Sequence, residues 1–388
     1  MSTAELIPFH TYIVKIASRC NLNCTYCFIY NLADTRWASQ PRLMLPATFS
    51  RTCERIRDHC LAHDKRTFSI IFHGGEPLLG GVEHLRTLLQ ISESIFGPAN
   101  LTFHVGMQSN GLLFSADIGD LLLAHNVKIG ISIDGPPSVN DINRIDHVGR
   151  GSSQALESQL KLLTSAQFRS LFSGFLIVVS LTADPEDVLD YVLQFQPPSI
   201  DFLLPYDNWD RRPPGKPHFE STPYGDWLIR AFQYWYEKHS TTRVRQFASI
   251  MRLALGGNSL VETMGLGPTD LVVIETNGDM EGLDSLKGTY NGATVLGLNV
   301  FDHDLDAAAS HMAIRSRQIG AAGLCRTCQD CPIVGICGGG YLPNRYSEAN
   351  GFQNASFFCR DLDKLIRHIH GRVEAELLTA FQGTTGRR

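Results

Sequence analysis

Apolar, β-branched runs alternate along the first half of the chain with longer segments in which apolar residues recur at helical spacing. The runs Tyr12–Ala17, Phe68–His73, Leu101–Gln108, Val127–Ile133, Gly174–Leu181 and Ile200–Leu204 predict strands. Between them Pro46–His63, Val82–Phe96, Ala116–His125, Gln154–Ala166 and Pro185–Phe195 predict amphipathic helices. Strand–helix alternation at this spacing predicts βαβ units, a parallel sheet and right-handed crossovers. Six such units are too few for a closed eight-stranded barrel and fit an open, three-quarter barrel. Folds of this kind carry their chemistry at the carboxyl ends of the strands, which is where the unusual residues of this chain fall.

Beyond the sixth strand the pattern changes. Arg211–Pro223 (RRPPGKPHFESTP) is rich in proline and predicts a surface connection. Tyr224, Trp227, Leu228, Ala231, Phe232 and Trp235 then recur at helical spacing and predict a core-facing aromatic stripe. Cys53 and Cys60 share one face of the first predicted helix with Phe49 and Ile56, the pattern of buried structural thiols.

Composition narrows the classes. A chain of 388 residues with 43% hydrophobic and 19% charged residues has the make-up of a soluble globular enzyme. A net charge of −5 leaves no electrostatic footprint for nucleic acid or an anionic membrane. No apolar run approaches the ~18 residues of a membrane span, and the first strand follows the start too closely for a targeting peptide. There is no G-x-G-x-x-G after a strand, no P-loop and no H-E-x-x-H. The ten cysteines are too few for a disulfide scaffold and are clustered, with three at 20–27 and five between 325 and 359. Clustered thiols without a signal peptide imply metal in a reducing cytoplasm.

The first cluster, Cys20-Asn21-Leu22-Asn23-Cys24-Thr25-Tyr26-Cys27, directly follows the first strand. No His or Cys follows at zinc-finger spacing. Three thiolates suit a 4Fe–4S cluster with one open iron, where a small molecule binds and receives an electron. The spacing, with Tyr26 as the aromatic before the last cysteine, resembles the signature of the radical S-adenosylmethionine (SAM) enzymes. That resemblance implies a cluster on Cys20, Cys24 and Cys27 whose open iron chelates the amino and carboxylate groups of SAM. It also implies reductive cleavage of SAM to a 5′-deoxyadenosyl radical that abstracts hydrogen from the substrate.

Successive strand ends add to it. His73-Gly74-Gly75-Glu76-Pro77 is by itself a Gly- and Pro-containing turn, but it resembles the family's GGEP element, in which backbone and Glu hold the SAM ammonium. Gln108-Ser109-Asn110-Gly111 resembles Q-T-N-G, with Ser109 replacing Thr. Ser132-Ile133-Asp134-Gly135 resembles S-x-D-G, whose Ser and Asp face the SAM carboxylate and ribose, and Arg144 stands where many relatives carry a SAM-carboxylate arginine. His73 is read either as a cofactor or substrate contact or as a structural imidazole.

Cys325, Cys328, Cys331 and Cys337, then Gly338-Gly339-Gly340 and Cys359, form the second cluster. Sulfur ligands alone do not separate zinc from iron–sulfur. The segment resembles the SPASM extension of radical SAM enzymes that modify peptides, which implies an outer auxiliary cluster on Cys328, Cys331, Cys337 and Cys359. Cys325 is surplus, an alternative fourth ligand in place of Cys359. An inner auxiliary cluster is not expected, because Tyr341 and Leu283 stand where the family places cysteines. Asp284 follows Leu283 at the position proposed as general base in relatives that oxidise a peptide side chain; the plain alternative is a loop carboxylate.

The implied fold is thus α/β, a partial (βα)6 TIM-like radical SAM barrel with a C-terminal SPASM/twitch-like iron–sulfur domain. Residues 1–215 are expected to form the barrel, 216–270 a helical linker region, and 271–388 the auxiliary domain with a C-terminal helix. From Phe9 to about Ile366, with DFLLP, TPYGDWL and LVVIETNG among its segments, the chain resembles the cyclophane-forming SPASM maturases of the Grr, Fxs and Xye type. The resemblance implies a ribosomal precursor peptide (leader plus core) as substrate. It implies a C–C crosslink from an aromatic ring carbon to the β-carbon two residues on, and an external one-electron donor such as flavodoxin or ferredoxin. Strand addition at an exposed sheet edge is one expected mode of leader binding. The alternatives are thioether or formylglycine formation, and a noncatalytic iron–sulfur module that binds a peptide.

Overall fold

The structure is a computed structural model that describes residues 6–238 and 241–385. Its strands are β1 (Thr11–Ala17), β2 (Thr67–Gly74), β3 (Thr102–Ser109), β4 (Lys128–Ser132), β5 (Phe172–Val178), β6 (Ser199–Leu203), β7 (Arg243–Val244), β8 (Leu271–Ile274), β9 (Asp279–Glu281) and β10 (Val295–Asn299). The first six are the strands predicted from periodicity. Helices Pro46–Ala62, Gly81–Phe96, Ala116–Ala124, Ser153–Leu163 and Pro185–Leu193 stand between them as expected. Pro46 and Pro185 open their helices at the position where the missing N–H has no intrahelical partner.

The chain divides into two compact units, Met1–Leu176 with Pro268–Gln318, and Ile177–Gly267 with Ile319–Arg388. The units differ from the expected linear segments, and β8 shows why. This short apolar strand, expected within the C-terminal domain, pairs in parallel with β1, Thr11 opposite Leu271 and Val14 opposite Ile274.

In the first unit the strand order is β10-β9-β8-β1-β2-β3-β4-β5. β8 and β1 to β5 run parallel, and β9 and β10 are added antiparallel. Along β2, Phe68, Ile70 and Phe72 are buried while Ser69, Ile71 and His73 are half-buried on the opposite face, the alternation of a sheet with two different sides. Phe72 packs edge-on against Phe49 with ring centroids 5.8 Å apart. Each such ring contributes about 1.5–3 kcal/mol by leaving water. Cys53 and Cys60 are fully buried on that same helix, Cys60 Sγ lying 3.6 Å from Tyr12 Oη.

His59 of this helix and His63 just past its end both meet Asp306, at 2.5 and 2.9 Å. The Phe9 N–H donates to His59 Nε2 at 3.0 Å, so the ring proton sits on Nδ1, facing the carboxylate. A metal ligand has to be deprotonated at its ligating nitrogen; the cluster is therefore a hydrogen-bonded tie between the start of β1 and its covering helix.

In the second unit β6 and β7 pair in parallel. The aromatic stripe on helix Pro223–Lys238 is buried, with Trp227 against Phe202 and Phe232 edge-on to Phe247. The proline-rich segment expected at the surface sends Lys216 inward, where its ammonium is 2.8 Å from Asp361 Oδ2 and neither side chain is exposed.

Candidate functional site

β1 ends at Ala17, and the chain turns through Ser18 and Arg19 into the cysteine triad. Arg19 holds the turn by donating to the carbonyls of Trp37 (2.8 Å) and Ala38 (3.0 Å), with its guanidinium 5.3 Å from the centre of the Trp37 ring. The Cys27 N–H bonds to the Cys24 carbonyl at 3.0 Å, which folds the triad back on itself. All three thiols are half-buried. Burial, aided by Glu76, pushes Cys20 up to about 12, and burial pushes Cys27 up to about 11 and raises Cys24. Thiols held up in this way become thiolates only when a cation displaces their protons, the chemistry a metal-bound set requires. The Leu22 N–H and Asn110 Nδ2 point at Cys20 Sγ, at 3.3 and 3.6 Å.

The ends of β2, β3 and β4 surround the triad. At Gly74, with φ +134°, an added Cβ would lie 1.9 Å from the Ala17 carbonyl; at Gly75 it would meet Tyr30 Oη at 1.8 Å. The paired glycines therefore let the end of β2 close onto the chain leading to Cys20, where the Gly75 N–H bonds to the Ala17 carbonyl and the Glu76 N–H to that of Arg19. Glu76 differs from the free acceptor expected for an ammonium group. It is 0% exposed, with Oε1 taking Ser109 Oγ (2.8 Å) and the Leu78 N–H (3.0 Å) and Oε2 taking the Asn110 N–H (2.8 Å). Its work is to fasten the loop after β2 to the loop after β3. Asn110 continues the chain to Asn21 Oδ1 at 2.8 Å, and Gln108 Nε2 donates to Ser132 Oγ at 2.9 Å.

Tyr26 Oη donates to Asp134 Oδ2 at 2.7 Å and accepts from Arg144 Nη1 at 3.0 Å. This joins the triad loop to the loop after β4. Arg144 is buried, and although burial opposes its charge, Tyr26, Cys24 and Asp134 hold it protonated. Its Nε is enclosed and has no hydrogen-bond partner among the described residues. A cation with an unused donor, set near the Cys24 and Cys27 thiols, fits an anionic group such as a thiolate-bound cluster or a carboxylate. Tyr30 Oη and His73 Nδ1 are likewise enclosed without a partner. The residues present thus fit an iron–sulfur cluster with SAM.

Next to this arrangement lies a buried charge cluster, of which only Asp284 is expected from the sequence. Lys15, in the middle of an apolar strand and paired in register with His73, is 2% exposed. Its Nζ sits 2.5 Å from Asp284 Oδ1 and 2.8 Å from Glu275 Oε1. Asp284 is itself buried, and its Oδ2 has no hydrogen-bond partner among the described residues. His73 is held neutral by burial, within electrostatic reach of Asp284, Lys15 and Glu275. The one signal in the sequence was a lysine interrupting the run Tyr12–Ala17; its partners lie more than 250 residues away. Leu283 is buried beside Asp284 in the chain.

In the second unit Cys328, Cys331, Cys337 and Cys359 line one cavity of about 280 Å³. Burial pushes Cys328 and Cys337 each up to about 12, with Cys325 adding to the first and Cys359 to the second. Cys359 lines this cavity and Cys325 does not, although Cys325 lies within side-chain hydrogen-bonding reach of Cys328, and we expect Cys359 to be the fourth ligand. Cys359→Ala is therefore expected to lower iron and sulfide in the anaerobically reconstituted protein to the content of one cluster, whereas Cys325→Ala leaves both as in the parent. The opposite pattern would transfer the fourth ligand to Cys325. Tyr341, in the place of a further family cysteine, is bonded through its hydroxyl to Glu262 at 2.9 Å.

The profile of the Radical SAM superfamily matches residues 14–193. The chain is 24% identical to the cysteine-type anaerobic sulfatase-maturating enzyme of Clostridium perfringens, over 94% of this chain and 97% of that one. It is 24% identical to the serine-type anaerobic sulfatase-maturating enzyme of Klebsiella pneumoniae, over 86% and 82%. The solved structure of native anSMEcpe with bound AdoMet and Cp18Cys peptide superposes with a TM-score of 0.78 at 21% identity, covering 95% of this chain and 99% of that one. No helix among the described residues is long and apolar enough to cross a membrane.

Proposed function

Because this chain is a radical SAM enzyme and its relatives act on peptides and proteins, we propose that it oxidises a peptide side chain at its β-carbon. Cys20, Cys24 and Cys27 would hold an iron–sulfur cluster that, together with SAM, would supply the radical chemistry for taking a hydrogen atom from the substrate. Arg144, Tyr26 and Asp134 hold the cofactor end of the site, and Glu76 with Asn110 fixes the loops around it. The observation that carries the reading is Asp284, an enclosed carboxylate with one oxygen gripped by Lys15 and the other unused. A substrate radical that becomes a closed-shell product sheds one proton and one electron. Asp284 Oδ2 takes the proton. Cys328, Cys331, Cys337 and Cys359 would hold a second cluster, which is an electron acceptor by its chemistry. An external one-electron donor of the flavodoxin or ferredoxin class serves the first cluster.

The names of the relatives favour conversion of a Cys or Ser side chain to formylglycine. A second reading, an aromatic-to-β-carbon crosslink, is favoured by Leu283 and Tyr341, which replace cysteines of the two-cluster pattern that sulfatase-maturating enzymes resemble. Both begin with the same hydrogen abstraction and part afterwards. The test is anaerobic incubation of reconstituted enzyme, dithionite and SAM with two synthetic peptides, Cp18Cys and one carrying an aromatic three-residue segment. An aldehyde that labels with a hydrazide supports formylglycine. Loss of H2 localised to an aromatic three-residue segment, without hydrazide labelling, supports the crosslink. Absence of 5′-deoxyadenosine with either peptide overturns both readings and leaves a binding module.

A further inference from the structure

Asn110 follows the end of β3, and its side chain is held at both ends. Its Oδ1 accepts the Leu112 N–H at 3.0 Å and its Nδ2 donates to Asn21 Oδ1 at 2.8 Å. A backbone N–H can only donate, so the Leu112 bond fixes which end of the amide is oxygen and turns the nitrogen toward the triad. The backbone is fixed as well, because the Asn110 N–H donates to the fully buried Glu76 at 2.8 Å. An amide nitrogen carries two donors. With one spent on Asn21, Nδ2 also reaches Cys20 Sγ at 3.6 Å, a bonding distance for an acceptor as large as sulfur. Asn110 is 7% exposed, so little water competes for that contact.

Cys20 changes its hydrogen-bonding role when it binds metal. As a thiol it points at Asn21 Oδ1, 3.8 Å away; as a thiolate it has no proton to give and can only accept. Two donors are already in place for it, the Leu22 N–H at 3.3 Å and Asn110 Nδ2. The Ile29 and Tyr30 N–H groups face Cys27 in the same sense. Leu22, Ile29 and Tyr30 belong to the loop of the triad itself and act through the backbone. Asn110 comes from another strand end, 90 residues further along, and acts through its side chain.

We propose that Asn110 sets the reduction potential of the cluster that Cys20, Cys24 and Cys27 would hold, by donating its amide N–H to the Cys20 thiolate. This role rests on Cys20 being a cluster ligand. One added electron raises the negative charge on the sulfurs of a thiolate-bound cluster. A donor aimed at one of those sulfurs therefore stabilises the reduced form more than the oxidised one. Glu76 opposes charge on Cys20, and the Asn110 amide works against it. No bond of Asn110 forms or breaks: the electron comes from the external donor, and the N–H stays on nitrogen. Because Asn110 acts before SAM is cleaved, its loss slows 5′-deoxyadenosine and product together and leaves their ratio unchanged.

The test is a potentiometric titration of the anaerobically reconstituted full chain and its Asn110→Ala and Asn110→Asp variants, followed by electron paramagnetic resonance without peptide. The signal that changes on adding SAM identifies the triad cluster. Asn110→Ala removes the donor and is expected to lower the ratio of reduced to oxidised cluster roughly 10-fold at a fixed potential, the worth of one hydrogen bond to a charged group. That is a displacement of about 59 mV to more negative values. Asn110→Asp keeps the shape and the acceptor for Leu112 but presents an oxygen to Cys20, and is expected to move the potential at least as far. A role limited to holding the loop predicts the reverse order, since Asp keeps the Leu112 bond that Ala loses. A second readout needs no variant to fold. With ¹⁵N in the asparagine side chains, the reduced cluster of the parent is expected to show a ¹⁵N coupling in pulsed spectra, which Asn110→Asp loses. Potentials equal to that of the parent in both variants overturn the proposal, as does a parent without the coupling. A parent with no SAM-sensitive signal overturns the reading of Cys20 as a cluster ligand, and the proposal with it.

Discussion

Asp284→Asn is expected to lower product formation about 100- to 10,000-fold, the range contributed by a positioned acid or base. The substituted side chain keeps the shape of the carboxylate and a partner for Lys15, which also retains Glu275 at 2.8 Å, so the local packing survives. What is lost is the only atom of the pair that can accept a proton. Hydrogen abstraction precedes that step, so 5′-deoxyadenosine continues to form and its ratio to product rises. The measurement is that ratio, from one anaerobic time course analysed for both species. Parallel loss of nucleoside and product would instead make Asp284 part of the binding site.

The second large effect is on stability. Lys216→Met is expected to cost about 3–5 kcal/mol, the penalty for removing one member of a fully buried pair. Lys216 Nζ lies 2.8 Å from Asp361 Oδ2 and also donates to the carbonyls of Phe219, at 3.1 Å, and Ser221. Asp361 Oδ1 accepts the Gly225 N–H at 2.9 Å, at a point where an added Cβ on Gly225 would meet the Asp361 backbone at 2.8 Å. One ion pair thus pins the proline-rich segment and two helices together, two residues from Cys359. Burial already raises the carboxyl of Asp361, and removing the lysine raises it further. A group whose folded value lies above its unfolded value stabilises below the unfolded value and loses that contribution as pH rises through the folded one. The deficit of Lys216→Met is therefore smallest in acid and grows toward neutrality, which denaturant titrations at several pH values will show. Lys216→Met combined with Asp361→Leu should recover much of the loss, since a well-packed apolar pair can replace a buried ionic one. No recovery would place the penalty in the lost carbonyl bonds instead.

Much of the candidate cofactor site could be read from the chain because it is built from short motifs at strand ends. Cys20 to Cys27, Gly74 to Glu76, Gln108 to Asn110, and Ser132 with Asp134 each sit where a predicted strand stops, and a parallel sheet brings successive strand ends together. The structure places them around one point with Arg144. Glu76 shows the limit of motif reading. Its position was legible, but whether its oxygens are free or used depends on Ser109 and Asn110, more than thirty residues away.

The amino-acid sequence by itself determined the alternation of strands and helices, the two sets of clustered thiols and the apolar faces of the helices. Each follows from residues within a few turns of one another, through periodicity, turn chemistry and the spacing that metal ligands demand. Only the tertiary structure decided that β8 joins β1, that Cys359 rather than Cys325 lines the thiol cavity, and that Lys15 is the partner of Asp284. These depend on which distant segments share a sheet or a pocket. A buried lysine looks like a local interruption in a hydrophobic run until the carboxylates that neutralise it are brought to within 3 Å.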